Sequence, residues 1–392
     1  MYSLLLVVIY LAFISLGLPD SLLGSAWPVM QQDLNVPISY AGIITMIICG
    51  GTIVSSLLSD RIIHKFGTGI VTTASVALTM LALFGFSFSN TFTALCIWAI
   101  PYGLGAGAVD AALNNYVAIH YSSKHMSWLH AFWGVGVTIS PNIMSFCLSK
   151  KLGWSMGYSI IGIMQLVLVI ILISSLPLWI RKEKDEKITD ILSIPKALKI
   201  KGVPQVLVAF FGFCALESTA GIWASSYLVG HRNINADTAA MFTALFYFGE
   251  TVGRFLNGFV ADKYGDRHMI RVGIIGMIIG IIMVVLPFDT SNIALFGLVV
   301  IGLGAAPVYP CIIHSTPINF GEENSQSLVG IQMASAYVGS TFMPPLFGLI
   351  AQYIDIAFYP LYLAVFAVLM LVMTEIMNKK VQTIFHKKTV NG

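Results

Sequence analysis

The sequence predicts an all-α membrane protein of twelve transmembrane helices, arranged as two pseudosymmetric six-helix bundles with both termini in the cytoplasm. Three observations predict this class: the composition, the length of the apolar segments and an internal repeat. Of the 392 residues, 57% are hydrophobic and only 10% are charged, whereas soluble domains contain about 45–50% apolar and about 25% charged residues. So few charges could not cover a water-exposed surface, which excludes a soluble enzyme and a disordered chain.

Twelve segments are long and apolar enough to cross a bilayer, whose hydrocarbon core takes about 20 helical residues. They cover approximately residues 4–30, 38–58, 68–88, 92–118, 126–148, 153–180, 204–230, 236–261, 269–287, 292–316, 327–352 and 356–378. Gly24, Ser25 and Ala26 resemble a signal-peptidase site, but no basic residue precedes Leu4 and Asp20 interrupts the apolar run. We therefore expect the first segment to be retained as a span.

The distribution of Lys and Arg predicts the orientation, because cytoplasmic loops of membrane proteins are enriched in these residues. With the N-terminus inside, all 21 Lys and Arg residues except four lie on the cytoplasmic side. Lys150, Lys151 and Arg232 face outward, and Arg254 lies within a span. The small net charge of +3 lies in the loops, so we predict no nucleic-acid partner.

A run of charges between residues 181 and 201 predicts a solvated central loop. It divides the chain into an N-terminal bundle (1–180), a cytoplasmic loop (181–203) and a C-terminal bundle with a short cytoplasmic tail (204–392). The five cysteines stand singly in apolar runs, which indicates neither a disulfide framework nor a zinc site. We predict no metal and no cofactor apart from a proton as coupling ion.

The two halves of the chain repeat each other in four pairs of segments about 200 residues apart. The pairs are Gly103, Leu104, Gly105, Ala106 and Val109 with Gly302, Leu303, Gly304, Ala305 and Val308; Lys65 and Gly67 with Lys263 and Gly265; Asp20 and Gly24 with Glu217 and Gly221; and Gly136, Thr138 and Pro141 with Gly339, Thr341 and Pro344. Parallel repeats of six helices are the architecture of the major facilitator superfamily, whose halves rock about a site near the membrane midplane.

A loop signature after the eighth span supports this architecture. Gly253, Arg254, Gly258, Asp262, Lys263, Gly265 and Arg267 resemble the loop motif of that superfamily, in which an acid at a helix end pairs with a neighbouring helix and stabilises one conformation. The resemblance implies a gating role for Glu250, Arg254, Gly258, Asp262, Lys263 and Arg267. In the first-half counterpart, His64 stands where Asp262 stands in the second half.

Ionisable side chains at mid-bilayer depth cost at least ~2.5–3.5 kcal/mol each on insertion scales. Glu250 and Arg254 are four residues apart and are expected to pair on one helix face, either as a functional group or as a merely neutral pair. The spans that contain Asp20, Asp110 and Glu217 contain no Lys or Arg. A carboxylate held without a cation in a partly dry cavity can take up and release protons, so we predict proton coupling at these three acids.

Amide and aromatic side chains near these acids predict recognition of a sugar, whose hydroxyls need polar partners and whose ring needs an apolar face. The candidates are Asn114, Asn115, His130, Trp133, Trp223, Tyr227, Tyr309 and Gln332. Aromatic residues also belt membrane interfaces, and His130 is equally compatible with packing or with a proton relay.

Four stretches together resemble the fucose:proton symporter family, including its glucose/mannose symporter branch. They are Asp20 before Leu22, Leu23 and Gly24; Asp110 to Asn115; Trp128 to Gly136; and Glu217 to Trp223. The resemblance implies that Asp20 and Asp110 serve substrate binding and proton coupling. The fucose transporters carry Glu where this chain has Asp110, and Trp133 stands in place of an amide, so the resemblance does not assign fucose itself.

The predicted function is proton-coupled uptake of a monosaccharide by a monomeric, multi-pass protein of the cell membrane. An exporter of drugs or metabolites is the alternative, because Gly136, Ser140 and Pro141 partly match an antiporter motif. A membrane sensor without transport activity is a third hypothesis. An enzyme is not expected, because Gly103, Gly105 and Ala108 lack the strand that a dinucleotide-binding loop requires.

Overall fold

The computed structural model describes residues 2–37, 40–179, 192–234, 236–286 and 292–390. Within these ranges all regular structure is helical. The α-helices are α1 (Tyr2–Asp20), α2 (Leu22–Asp33), α3 (Tyr40–Phe66), α4 (Thr68–Ser87), α5 (Phe92–His120), α6 (Ser123–Ser149), α7 (Trp154–Ser175), α8 (Ile194–Ala197), α9 (Val203–Gly230), α10 (Ala236–Tyr264), α11 (Asp266–Val285), α12 (Asn292–Ala305), α13 (Val308–Phe320), α14 (Glu322–Tyr353) and α15 (Tyr359–Val390). Short 3-10 turns occupy Leu176–Leu178 and Ile356–Phe358.

Eleven helical stretches of the described chain are long and apolar enough to cross a membrane, and they coincide with eleven predicted spans. The predicted eighth span corresponds to α10, which has 29 residues but is less apolar because it carries Glu250, Arg254, Asp262 and Lys263. Parts of the predicted loop, spans and tail lie outside the described residues, namely 38–39, 180–191 with Arg181, Lys182, Lys184 and Lys187, residue 287, and 391–392.

Two predicted spans are interrupted in the structure. The first consists of α1 and α2, which separate at Ser21, so that Asp20 is the last residue of α1. The tenth consists of α12 and α13, which separate at Ala306 and Pro307. Broken helices matter in a membrane because each break leaves backbone groups that need other partners, and such breaks are tolerated only inside protein or beside a water-filled cavity.

The chain folds into two compact units. The first comprises Met1–Tyr116 and Leu129–Ile191, and the second comprises Val117–Trp128 and Leu192–Gly392. Residues 117–128, which form the end of α5 and the start of α6, therefore pack with the second unit, although they precede the predicted bundle boundary in sequence. In the first unit α4 packs on α7, and in the second α9 packs on α14 and α15 while α11 packs on α12.

The repeated glycines make the same kind of helix contact in each unit. In the first unit, Gly103 of α5 leaves no room for a Cβ atom against the Ile48 carbonyl oxygen of α3. In the second unit, Gly302 of α12 has the equivalent contact with the Phe246 carbonyl oxygen of α10. Small residues let helix backbones approach this closely, so the repeat in sequence corresponds to a repeated contact in space.

A second glycine pair shows the same relationship. Gly136 of α6 lies against the Ile14 carbonyl oxygen of α1, and Gly339 of α14 lies against the Phe211 carbonyl oxygen of α9. In each unit this contact joins the helix of a predicted coupling acid, Asp20 or Glu217, to the helix that carries the repeated Gly, Thr and Pro residues, α6 or α14. The close approach brings α6 near enough for its side chains to reach the end of α1.

Candidate functional site

Asp20 forms the first polar site, at the end of α1 in the first unit. The indole N–H of Trp133 on α6 donates to Asp20 Oδ2 at 2.9 Å, and the Tyr102 hydroxyl on α5 donates to Oδ1 at 3.4 Å. Asp20 is exposed and Trp133 is half-buried. Among the ion pairs of the described residues, none involves Asp20, so neutral donors hold both carboxylate oxygens.

Asp110 heads a buried chain of polar side chains in the same unit. The Asn114 amide nitrogen donates to Asp110 Oδ1 at 2.7 Å and to the Asp110 carbonyl oxygen at 3.0 Å. The Asn114 amide oxygen lies 2.9 Å from His130 Nε2 on α6. Since an amide oxygen only accepts hydrogen bonds, His130 Nε2 carries the hydrogen in this arrangement. The His130 ring also packs edge-on against Phe13 of α1.

Helix α6 brings the partners of both acids together. His130 and Trp133 are three residues apart and therefore share one face of α6. Through His130 this face reaches Asn114 and Asp110, and through Trp133 it reaches Asp20. The structure thus places five predicted residues of the first unit in two hydrogen-bonded groups, Asp110–Asn114–His130 and Asp20–Trp133, which are linked through α6. The sixth, Asn115, is buried next to Asn114.

Glu217, Glu250 and Arg254 form the corresponding charged cluster in the second unit. Arg254 Nη2 donates to Glu217 Oε1 on α9 at 3.0 Å and also to Glu250 Oε1 one helical turn away on α10. The Glu250–Arg254 pair predicted from the sequence spacing is present. Glu217, which has no cation in its own helix, acquires Arg254 across helices.

The other candidates of the second unit make separate intramolecular contacts. Trp223 donates its indole N–H to the Pro344 carbonyl oxygen at 2.9 Å, and the buried Tyr227 packs on Tyr359. The Tyr309 hydroxyl approaches the Met333 sulfur on α14 at 3.1 Å. The fully buried Gln332 accepts a hydrogen bond from the Thr316 hydroxyl at 3.0 Å, which joins α14 to α13. None of these contacts joins one of the four residues to another.

Two of the predicted gating residues, Gly258 and Asp262, lie against residues 117–128, which belong to the second unit. The Asp262 carboxylate accepts hydrogen bonds from the Ser122 hydroxyl at 2.9 Å and from the Lys124 backbone N–H at 3.1 Å. Gly258 leaves no room for a Cβ atom against the Trp128 indole. Lys263 is exposed and Arg267 is partly buried. Asp262 thus caps the start of α6, where the partial positive charge of a helix favours an anion.

Sequence reasoning missed a cluster around His314 on α13. His314 Nδ1 lies 2.6 Å from Asp266 Oδ2, and His314 Nε2 lies 3.1 Å from the Tyr121 carbonyl oxygen. The Ser123 hydroxyl donates to Asp266 Oδ1 at 2.5 Å. A carbonyl oxygen and a carboxylate both accept, so the ring holds residues 117–128 most firmly when both nitrogens carry hydrogen. The one signal in the sequence is the position of Asp266, an acid between Gly265 and Arg267 of the loop motif.

Two further contacts were not predicted, although the four-residue spacing of Asp60 and His64 is compatible with a pair on one helix face. Tyr102 on α5, which is 82 residues from Asp20 in sequence, donates a hydrogen bond to the Asp20 carboxylate. In the first-half counterpart of the loop motif, His64 pairs with Asp60 at 3.2 Å within α3. The degenerate motif therefore uses its histidine within its own helix, whereas Asp262 in the second half bonds to residues 117–128.

Comparison with known proteins agrees with this architecture. The family model described as Major Facilitator Superfamily matches residues 9–232 and 206–381. An uncharacterised transporter of this superfamily from Yersinia pestis is 24% identical over 87% of this chain and 88% of its own length. The hexuronate transporter of Bacillus subtilis is 23% identical over 68% of this chain and 66% of its own length. Bypass of stop codon protein 6 of Saccharomyces cerevisiae is 20% identical over 65% of this chain, which spans only 56% of that relative.

Two solved transporters share the fold. The fucose:proton symporter of E. coli superposes with a TM-score of 0.80 at 15% identity, covering 96% of this chain and 99% of that one. The proton:xylose symporter has a TM-score of 0.78 at 14% identity and covers 96% and 95%. The family model matches the chain twice, and the two matches together cover most of its helices. The chain is a multi-pass membrane transporter, not an enzyme, and it belongs to the Major Facilitator Superfamily.

Proposed function

We propose that this protein is a secondary active transporter that couples uptake of a monosaccharide to the entry of protons, by alternating access. The observation that carries the proposal is Asp20, an exposed carboxylate whose two oxygens accept hydrogen bonds from the neutral donors Trp133 and Tyr102. A carboxylate held in this way can be protonated without breaking an ion pair. It can also accept hydrogen bonds from the hydroxyls of a sugar.

Proton coupling is supported by the chain of groups that begins at Asp110. Asn114 contacts Asp110 and His130 at the same time, so a change in the charge of the acid alters the hydrogen bonding of the imidazole. His130 shares a face of α6 with Trp133, which holds Asp20. In this proposal, protonation of one acid is transmitted through α6 to the other.

Sugar recognition is supported by the chemistry of the groups beside Asp20. The carboxylate and the Tyr102 hydroxyl supply polar partners for hydroxyl groups, and the half-buried Trp133 indole supplies apolar surface of the kind a sugar ring packs against. The superposed symporters are named for fucose and xylose, two neutral monosaccharides. We extend this substrate class to the present chain.

The proposed topology has twelve spans, with α10 as the eighth and both termini in the cytoplasm of a cell membrane. The Glu250–Arg254 pair supports insertion of α10, because neutralised charges that face protein cost less than isolated ones. In this orientation Asp262 and residues 117–128 lie at the cytoplasmic side and act as a gate. The transporting species is a monomer.

Uptake into liposomes that contain the purified protein tests the proposal. A panel of labelled hexoses and pentoses is offered with the outside acidified, and accumulation is compared with counterflow exchange at equal pH. The wild-type protein should accumulate one of the sugars, and Asp110→Asn should retain counterflow while losing accumulation. Accumulation that persists unchanged in Asp110→Asn would contradict coupling at this residue.

Export is the second candidate function, because the exposed Asp20 carboxylate suits a cationic drug as well as a hydroxyl group. The same liposomes distinguish the two. If no sugar is transported and hydrophobic cations are exchanged for protons, the protein is an exporter and the symporter proposal is wrong. If the protein binds a ligand but transports neither sugars nor cations, it is a sensor.

A further inference from the structure

The charges of the Glu217–Glu250–Arg254 cluster bear on which substrates the protein excludes. One guanidinium contacts two carboxylates from two helices. The cluster therefore has a net charge of about −1, or zero when one carboxylate is protonated. In neither state does Arg254 present a net positive charge to a solute.

Burial orders the three side chains. The exposed fraction is 18% for the Glu217 side chain, 3% for Glu250 and 4% for Arg254. A solute that reaches the cluster meets the carboxylate of Glu217 first, and the guanidinium lies behind it. Asp20 of the first unit is likewise an exposed acid.

Glu250 and Glu217 have different parts in this arrangement. Glu250 is one helical turn from Arg254 on α10, so this pair persists whatever happens to α9. Glu217 belongs to α9 and can exchange its contact with Arg254 for a substrate hydroxyl. Even then, Glu250 still neutralises Arg254.

We propose that Glu217 and Glu250 are specificity-determining residues that exclude anionic substrates by neutralising Arg254. The inference rests on the proposed function, since it assigns the charge of the transported sugar. Recognition of a carboxylate requires an accessible cation, and Arg is the side chain best suited to it through two parallel hydrogen bonds. The hexuronate transporter among the relatives is named for an acidic sugar, so similarity of sequence alone leaves the charge of the substrate open.

Matched pairs of sugars test this proposal, because glucose and glucuronate, or galactose and galacturonate, differ chiefly in one carboxylate. Uptake is measured in liposomes with the wild-type protein, with each single variant, Glu217→Gln and Glu250→Gln, and with the double variant that carries both changes. In the wild-type protein, uptake of the neutral sugar should not change when the corresponding uronate is added as a competitor. The double variant should gain uronate uptake by about tenfold or more, the factor that one charge-assisted hydrogen bond confers.

Glu375→Gln is the matched control. Glu375 on α15 pairs with Arg271 on α11 at 2.7 Å, so its replacement also removes an acid from an arginine but outside the proposed site. This variant should gain no uronate uptake. A gain equal to that of the double variant would show a general effect of charge and would overturn the proposal.

The remaining outcomes separate the two levels of inference. If no sugar of either charge moves, the proposed function itself fails. If wild-type protein carries glucuronate as well as glucose, the function stands and the exclusion of anions is wrong. Should the double variant fail to fold, Glu250→Gln decides the matter, because Arg254 then depends on Glu217 alone, whose contact a substrate can replace. No gain in uronate uptake by any folded variant overturns the proposal.

Discussion

Trp133 donates its indole N–H to the Asp20 carboxylate at 2.9 Å, which ties α6 to the last residue of α1. Directly after Asp20 the first span breaks at Ser21, whose hydroxyl donates to the Val137 carbonyl oxygen at 2.7 Å. Helix α6 therefore contacts both the last residue of α1 and the residue at the break. A change at Asp20 has a direct mechanical route to the helix that carries His130.

Trp133→Phe should weaken sugar binding, because it removes the indole donor and keeps the aromatic ring. A hydrogen bond to a charged group contributes roughly 1.5–3 kcal/mol, so the apparent KM for uptake should rise about tenfold or more. Trp154→Phe is the control, since Trp154 makes the same kind of bond at 2.8 Å to Asp33, outside the proposed site. Equal KM values for both variants would argue against Asp20 as the substrate site.

Asn114→Leu should uncouple sugar movement from the proton gradient. The change removes the amide between Asp110 and His130, and it leaves buried polar atoms without this partner at a cost of about 1–3 kcal/mol. Counterflow exchange should continue while its dependence on pH changes, as measured in liposomes from pH 5 to pH 8, roughly the range in which histidine titrates. Asn142→Leu is the control, because Asn142 is exposed and bonds only within its own helix among the contacts described. An unaltered pH profile in Asn114→Leu would exclude a relay.

Arg254→Gln should be far more destabilising than Arg271→Gln. Removal of Arg254 leaves two carboxylates in a buried cluster, and breaking a buried pair costs about 3–5 kcal/mol. Arg271 and Glu375 are 40% and 32% exposed, and such exposed pairs contribute about 0–1 kcal/mol. The two variants are compared by their melting temperatures in detergent, at a pH above the ordinary range of carboxylate titration. Similar losses would mean that the Arg254 cluster is hydrated and not structural.

Gly136→Ala should destabilise the contact between α1 and α6. A Cβ atom at this position overlaps the Ile14 carbonyl oxygen, and overpacking of this kind costs about 1–3 kcal/mol. Gly42→Ala is the control, because a Cβ atom there meets nothing within 4 Å. Thermal unfolding in detergent should show a lower midpoint for Gly136→Ala only, and the same comparison applies to Gly339→Ala in the second unit.

His314→Leu should weaken the packing of residues 117–128 against the rest of the second unit, since it removes the hydrogen bonds to Asp266 and Tyr121. The buried Cys311 lies 3.8 Å from the Ser123 hydroxyl and reports this opening. The other four cysteines are replaced, so that a thiol reagent reports on Cys311 alone. Loss of the net free energy of about one hydrogen bond should make the segment open more often, so labelling of Cys311 should be about tenfold faster in the variant.

His268→Leu is the control for that labelling, because the exposed His268 side chain stacks on Tyr264 and makes no side-chain hydrogen bond within the described part of the chain. Its labelling rate should match that of the wild-type background. Identical rates in His314→Leu and His268→Leu would show that the imidazole does not hold the segment closed.

Much of the architecture could be predicted from the chain alone, because it depends on local properties. Span length follows from the thickness of the bilayer core and the rise of a helix. The Glu250–Arg254 pair follows from the helical period, and the glycine repeat follows from simple comparison of the halves. The breaks at Ser21 and at Ala306 and Pro307 were not predicted, because the length of an apolar segment indicates a span but not where its helix is interrupted.

The partners across helices were decided only by the tertiary structure. Trp133 lies 113 residues from Asp20, and Arg254 lies 37 residues from Glu217. In a soluble helix the polar face identifies the solvent side, but in lipid the outer face is as apolar as the packed one. The sequence of a membrane helix therefore determines its length and its buried charges, whereas its rotation, and with it the partner of each charge, depends on packing against neighbouring helices.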